Sequence, residues 1–162
     1  MRTTIQIFLI LICSLTFGQK KLDGKYSNHF GEKIELKSDS TFLYSWNFDL
    51  ASSWSTGKWK LDNNTIFLNV IPIMDTLKIV NNNKYSDSLI LSSDQKGSLI
   101  KKEETLIKAL SGGGKNRQKP PKKLYFRNGN LFRLTDNNEI DNKKYKQLST
   151  DKKFKTFFYK TD

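Results

Sequence analysis

The stretch Ser40 to Asp49 constrains this chain more than any other. Phe42, Tyr44, Trp46 and Phe48 alternate with Thr41, Leu43, Ser45 and Asn47. A period of two with aromatic enrichment is the pattern of a β-strand whose faces meet different environments. It rules out an amphipathic helix, because a helix would scatter these rings around its axis.

The same pattern recurs along the chain. Gly57 to Leu61 places Gly57, Trp59 and Leu61 on one face and Lys58 and Lys60 on the other. Asp62-Asn63-Asn64 is a turn, and Thr65 to Val70 returns with Ile66, Leu68 and Val70 aligned. Asn and Asp suit such turns because they bond their own backbone and tolerate left-handed angles. Further strands are expected at Gly24–Ser27, Lys33–Leu36, Thr76–Val80 and Ser88–Leu91. Asn128-Gly129, between Leu124-Tyr125-Phe126-Arg127 and Asn130-Leu131-Phe132-Arg133-Leu134, predicts a hairpin that pairs Phe126 with Leu131 and Tyr125 with Phe132. A last strand is expected over Lys153 to Lys160. Ser98 to Leu110 spaces Leu99, Leu106 and Leu110 as a short helix would, ended by Gly112-Gly113-Gly114. Residues 111–123, with Pro120-Pro121 and several cations, read as a mobile loop. The expected fold is therefore all-β, an antiparallel up-and-down barrel with one short helix, since a barrel removes the open edges of its sheet.

The N-terminus reads as an export signal. Arg2 is followed by the apolar run Ile7-Phe8-Leu9-Ile10-Leu11-Ile12, and Thr16-Phe17-Gly18 supplies small residues before a cut ahead of Gln19. The run is too short for a bilayer span, which takes about 20 residues. The expected organisation is a signal at 1–18 and one domain at 19–162, periplasmic or extracellular. The only cysteine, Cys13, lies inside the signal, so the mature chain has neither disulfide nor thiol nucleophile. Ile12 precedes Cys13 where lipidation favours a small residue, which argues against a lipid anchor.

The net charge of +12 is concentrated late. Lys101 to Asp162 holds 17 Lys and Arg against 7 Asp and Glu. This asymmetry reads either as a solvated Lys-rich surface or as a face for an anionic envelope component. Lys152 to Lys160 interleaves cations and aromatics, a pattern that also suits single-stranded nucleic acid. Export argues against that partner.

Catalytic signals are weak. His29 is the one histidine, and without cysteines a zinc site would need carboxylates such as Glu32 and Glu35. No Gly-x-Ser-x-Gly elbow occurs. Glu35, Asp39, Asp49 and Asp75 could in principle supply a glycosidase pair, but most sit beside turns, where Asp caps backbone. Gly112-Gly113-Gly114-Lys115 lacks the full phosphate-loop pattern. The expectation is a non-enzyme with no cofactor and no metal. The aromatic stripe either packs as core or walls an apolar pocket. On the second reading Phe42, Tyr44, Trp46 and Trp59 line the site for a small hydrophobic or amphipathic ligand, with Phe67 on the same or the opposite wall.

Several short motifs carry a resemblance. Gly24-Lys25-Tyr26, the strand entry Asp39-Ser40-Thr41-Phe42, and Ser55-Thr56-Gly57-Lys58-Trp59-Lys60-Leu61 followed by Asp-Asn-Asn and Ile-Phe-Leu resemble the small secreted lipocalin-like domains of bacteria, within the calycin group. The likeness covers about Leu22 to Leu91. Tyr26 stands where lipocalins prefer Trp, and Ser98 to Asp162 departs from the pattern. The resemblance implies a β-barrel that binds a small apolar ligand and carries no catalytic residues.

Overall fold

The computed structural model describes residues 22–161 except 50, 82–83, 93, 102–103, 106–117 and 148–149. The signal-like segment, Cys13 and the Gly112–Lys115 stretch lie outside the described residues.

Alternation builds the barrel. The strands β1 (Gly24–Ser27), β2 (Glu32–Leu36), β3 (Thr41–Phe48), β4 (Ala51–Asp62) and β5 (Thr65–Val70) form an antiparallel meander. The hairpin of β9 (Lys123–Arg127) and β10 (Asn130–Arg133) joins β5 through β9. The short β13 (Tyr159–Lys160) joins the other edge at β1. This eight-stranded sheet is nearly closed, and a single antiparallel bridge between Leu131 and Phe158 spans the seam.

Turn chemistry sets the register. Asn63 and Asn64 at φ 45° and 62°, and Asn128 and Gly129 at 51° and 80°, make the left-handed turns that match strand twist. Phe126 faces Leu131 and Tyr125 faces Phe132, the register expected from Asn-Gly. Asp39 accepts bonds from the Thr41 N–H at 2.9 Å and the Thr41 hydroxyl at 2.6 Å, which tie down the β2–β3 turn. Those bonds, the hydroxyl's above all, hold the Asp39 carboxyl below its usual range.

One face of each strand supplies the core. Tyr26, Ile34, Leu36, Phe42, Tyr44, Ile66, Leu68, Leu124, Leu131 and Phe158 are buried together, with Trp46, Trp59 and Phe126 packed against them. Gly57 is required here by close approach. A Cβ at this position would lie 2.0 Å from the Asn69 carbonyl oxygen and 2.8 Å from the Phe42 ring.

Three expectations are corrected. The meander does not run on through residues 76–91. There β6 (Met74–Asn81) and β7 (Lys84–Leu91) form a hairpin in a separate three-stranded sheet with β8 (Leu99–Ile100). The helix expected from Ser98 begins instead with β8, parallel to β6, with Ile100 buried and set beside Leu77. The Asp75 carboxylate, itself buried, takes bonds from the Ser98 N–H at 2.8 Å and the Ser98 hydroxyl at 3.0 Å. These long-range bonds and the burial of Ile100 outweigh a weak helical spacing. Helical backbone in this stretch is confined, among the described residues, to Glu104 and Thr105; Leu106 and Leu110 lie outside them. Finally, the last strand is split. Lys153–Lys155 is β12, paired with β11 (Lys144–Lys146) in a two-stranded ribbon, and the chain then turns back into the barrel at Phe158.

Candidate functional site at the charged end of the barrel

The end of the barrel carrying the β1–β2 and β3–β4 turns differs from the other. Inward positions there include the buried polar residues Glu32 and Ser55. Glu32 falls in phase with Ile34 and Leu36 and therefore points into the barrel, where it is 8% exposed. Its carboxylate is well partnered. The Tyr44 hydroxyl donates to Oε1 at 2.8 Å, and Arg133 Nη2 donates to the same oxygen at 2.5 Å. The Asn28 amide donates to Oε2, and the Asn28 side-chain oxygen receives the N–H groups of Phe30 and Glu32. Arg133 also lies over the Phe158 ring, 5.5 Å from its centroid.

This cluster joins three parts of the barrel wall: β2, β3 and, across the interior, β10. Burial is the main reason the Tyr44 phenol ionises only well above its normal range; the neighbouring Glu32 charge adds to the effect and Arg133 opposes it. Tyr44 is thus held as a neutral hydrogen-bond donor. Ion pairs of this kind gain little net stability when intact, but removing one partner strands the other charge.

The aromatic stripe leads from the core to this end. Phe42 and Tyr44 are fully buried within the filled section. Trp46 is half-buried and registered opposite Glu32, while Phe48 is 41% exposed, its ring stacked 6.3 Å from that of Trp46. The structure therefore brings Phe42, Tyr44 and Trp46 into one line. Trp59 is elsewhere: it sits at the opposite end, its indole N–H donating to the Lys37 carbonyl at 3.0 Å. Phe67 belongs to neither wall. It faces outward, with Lys60 Nζ 5.3 Å from its ring centroid.

Arg133 also borders an open cleft of about 500 Å³ outside the seam. Lys122, Lys123, Lys143, Asp136 and Tyr145 share its lining. Arg133 thus both pairs with the buried carboxylate and contributes to the lining of this cleft.

The acidic residues weighed from sequence do not converge. Glu32 points inward, and Glu35 is on the outer face of the same strand. His29 is outside the barrel, stacked 4.3 Å from Phe154 and 5.6 Å from Tyr159. Sequence reasoning missed Glu32 as an interior residue and gave Arg133 a place in a strand but no role in a site. The available signal was phase: both occupy core positions in alternating strands. Among the described residues no helix is long and apolar enough to cross a membrane.

No protein-family profile, curated protein or solved structure matches this chain.

Proposed function

We propose that this protein is an exported, lipocalin-like barrel of the calycin type that binds a small amphipathic molecule at its charged end and does no chemistry on it. The observation that carries this reading is the course of the aromatic stripe. It leaves the filled core at Tyr44 and reaches solvent at Trp46 and Phe48, beside the Glu32–Arg133 pair. Rings that reach solvent while stacked on each other offer an apolar surface at small entropic cost, and a fixed guanidinium beside them orients a polar group. Binding sites of this kind combine an apolar wall with a few convergent polar groups.

Native mass spectrometry of the protein purified from its host tests the proposal. The expected result is a reproducible small-molecule adduct that is lost in Trp46→Ala while the fold persists by circular dichroism. An apo mass that stays unchanged when host envelope lipids are offered overturns it.

A further inference from the structure

The ribbon of β11 and β12 has an arrangement that stability alone does not favour. Its register sets Lys144 opposite Lys155 and Lys146 opposite Lys153, with Tyr145 opposite Phe154 between them. Side chains alternate along a strand, so the four lysines share one face and the two rings share the other. Lys144, Lys146 and Lys153 are exposed and Lys155 is half-buried. Directly opposed like charges destabilise a strand pair. Lys146 has Asp151 at 2.7 Å in an exposed pair, which offsets only part of this. On the aromatic face Phe154 stacks on His29, while Tyr145, 45% exposed, donates to Asp141 at 3.3 Å.

We infer that this lysine face is a docking surface for an acidic polysaccharide. The lysines form two facing pairs whose Cβ atoms stand about 5 Å apart across the ribbon and about 7 Å apart along it, a narrow double file that suits one linear chain of anionic groups. Lysine acts as a point charge and does not demand the bidentate geometry of arginine, so a polymer of carboxylates or sulfates meets it without exact registry. The rings lie on the other face, which leaves no stacking platform for nucleobases beside the cations. For the same reason no aromatic anchor accompanies the lysines into a lipid interface.

The test is titration of the whole mature protein with polygalacturonate at low and at physiological salt. One variant carries Lys144→Gln, Lys146→Gln, Lys153→Gln and Lys155→Gln; a charge-matched control carries Lys25→Gln, Lys33→Gln, Lys58→Gln and Lys60→Gln. Loss of four lysine contacts, three of them exposed, predicts about a tenfold or greater loss of affinity in the first variant and less than about twofold in the control. Equal losses in both show that net charge alone drives binding and overturn the inference. Tighter binding to a single-stranded oligonucleotide, or to equimolar phosphatidylglycerol–phosphatidylcholine vesicles, with loss in the same ribbon variant, overturns the assignment to polysaccharide. Circular dichroism of both variants confirms that the fold is retained. None of these outcomes bears on the small-ligand site, which native mass spectrometry tests separately.

Discussion

Leu131 and Phe158 exchange both of their backbone hydrogen bonds. The Leu131 N–H donates to the Phe158 carbonyl at 2.9 Å, and the Phe158 N–H to the Leu131 carbonyl at 2.8 Å. Both side chains are fully buried. The pair joins β10 to the C-terminal segment and spans the seam of the barrel. Phe158→Ala therefore removes a large core side chain at the weakest join. The expected loss is about 3–5 kcal/mol in urea denaturation. Tyr159→Ala, at a partly exposed neighbour, should cost no more than about 1 kcal/mol. Similar losses for the two would mean that the seam does not depend on Phe158.

The Glu32–Arg133 pair should behave as a coupled unit. Arg133→Met leaves the buried carboxylate without its cation and is expected to destabilise by roughly 3 kcal/mol. The double change Glu32→Leu with Arg133→Met should cost clearly less than the sum of the two single changes, with a coupling above about 1 kcal/mol. Strict additivity in a double-mutant cycle would show that the pair is not energetically linked.

Tyr44 makes stability depend on alkaline pH. Its phenol ionises near pH 10 in the unfolded chain. In the fold, burial first and the Glu32 charge second raise that point. The unfolded state then releases the proton more readily above pH 10. Tyr44's contribution is fully present below pH 10 and is lost as pH rises beyond it, by at most about 1.4 kcal/mol per pH unit. Urea midpoints measured from pH 8 to 11.5 (about three units around that point) should fall more steeply for the parent protein than for Tyr44→Phe. Parallel curves would contradict the assignment.

Gly57→Ala tests how tightly the interior is filled. The added methyl would meet both the Asn69 carbonyl and the Phe42 ring at less than van der Waals distance. A loss of about 1–3 kcal/mol is expected, together with a change in near-ultraviolet circular dichroism as the aromatic packing shifts. An unchanged midpoint would mean that strands β4 and β5 separate easily at this point.

The lysine ribbon predicts a gain. Lys144→Glu places an anion opposite Lys155 in place of a like charge. A stabilisation of a few tenths of a kcal/mol, reduced by salt, is expected from thermal unfolding at two ionic strengths. Destabilisation would show that the opposed lysines do not repel appreciably.

Local chemistry made most of the barrel legible from the residues alone. The aromatic alternation of β3, the Asn63-Asn64 and Asn128-Gly129 turns, and the Phe126–Leu131 register all follow from side-chain period and backbone angles, which act between near neighbours. The all-β class and the strand-rich first half follow from the same source. The candidate site was legible only in part. Phe42, Tyr44 and Trp46 could be placed on one face, but which of them would be sealed in core and which would reach solvent depends on how far each strand extends past its neighbours. Trp59 shares their phase yet lies at the other end of the barrel.

The tertiary structure alone decided the remaining features. Glu32 and Arg133 are 101 residues apart, and only closure of the sheet brings their charges together. The departure of β6 to β8 from the meander depends on Asp75 finding Ser98 and on Ile100 being buried beside Leu77. The split of the last predicted strand depends on Phe158 finding Leu131. Each of these contacts gains its energy from desolvation and long-range pairing. Neither leaves a local pattern, so strand identity and hairpin partners could be read from the sequence, whereas strand partners distant in sequence and the buried charges could not.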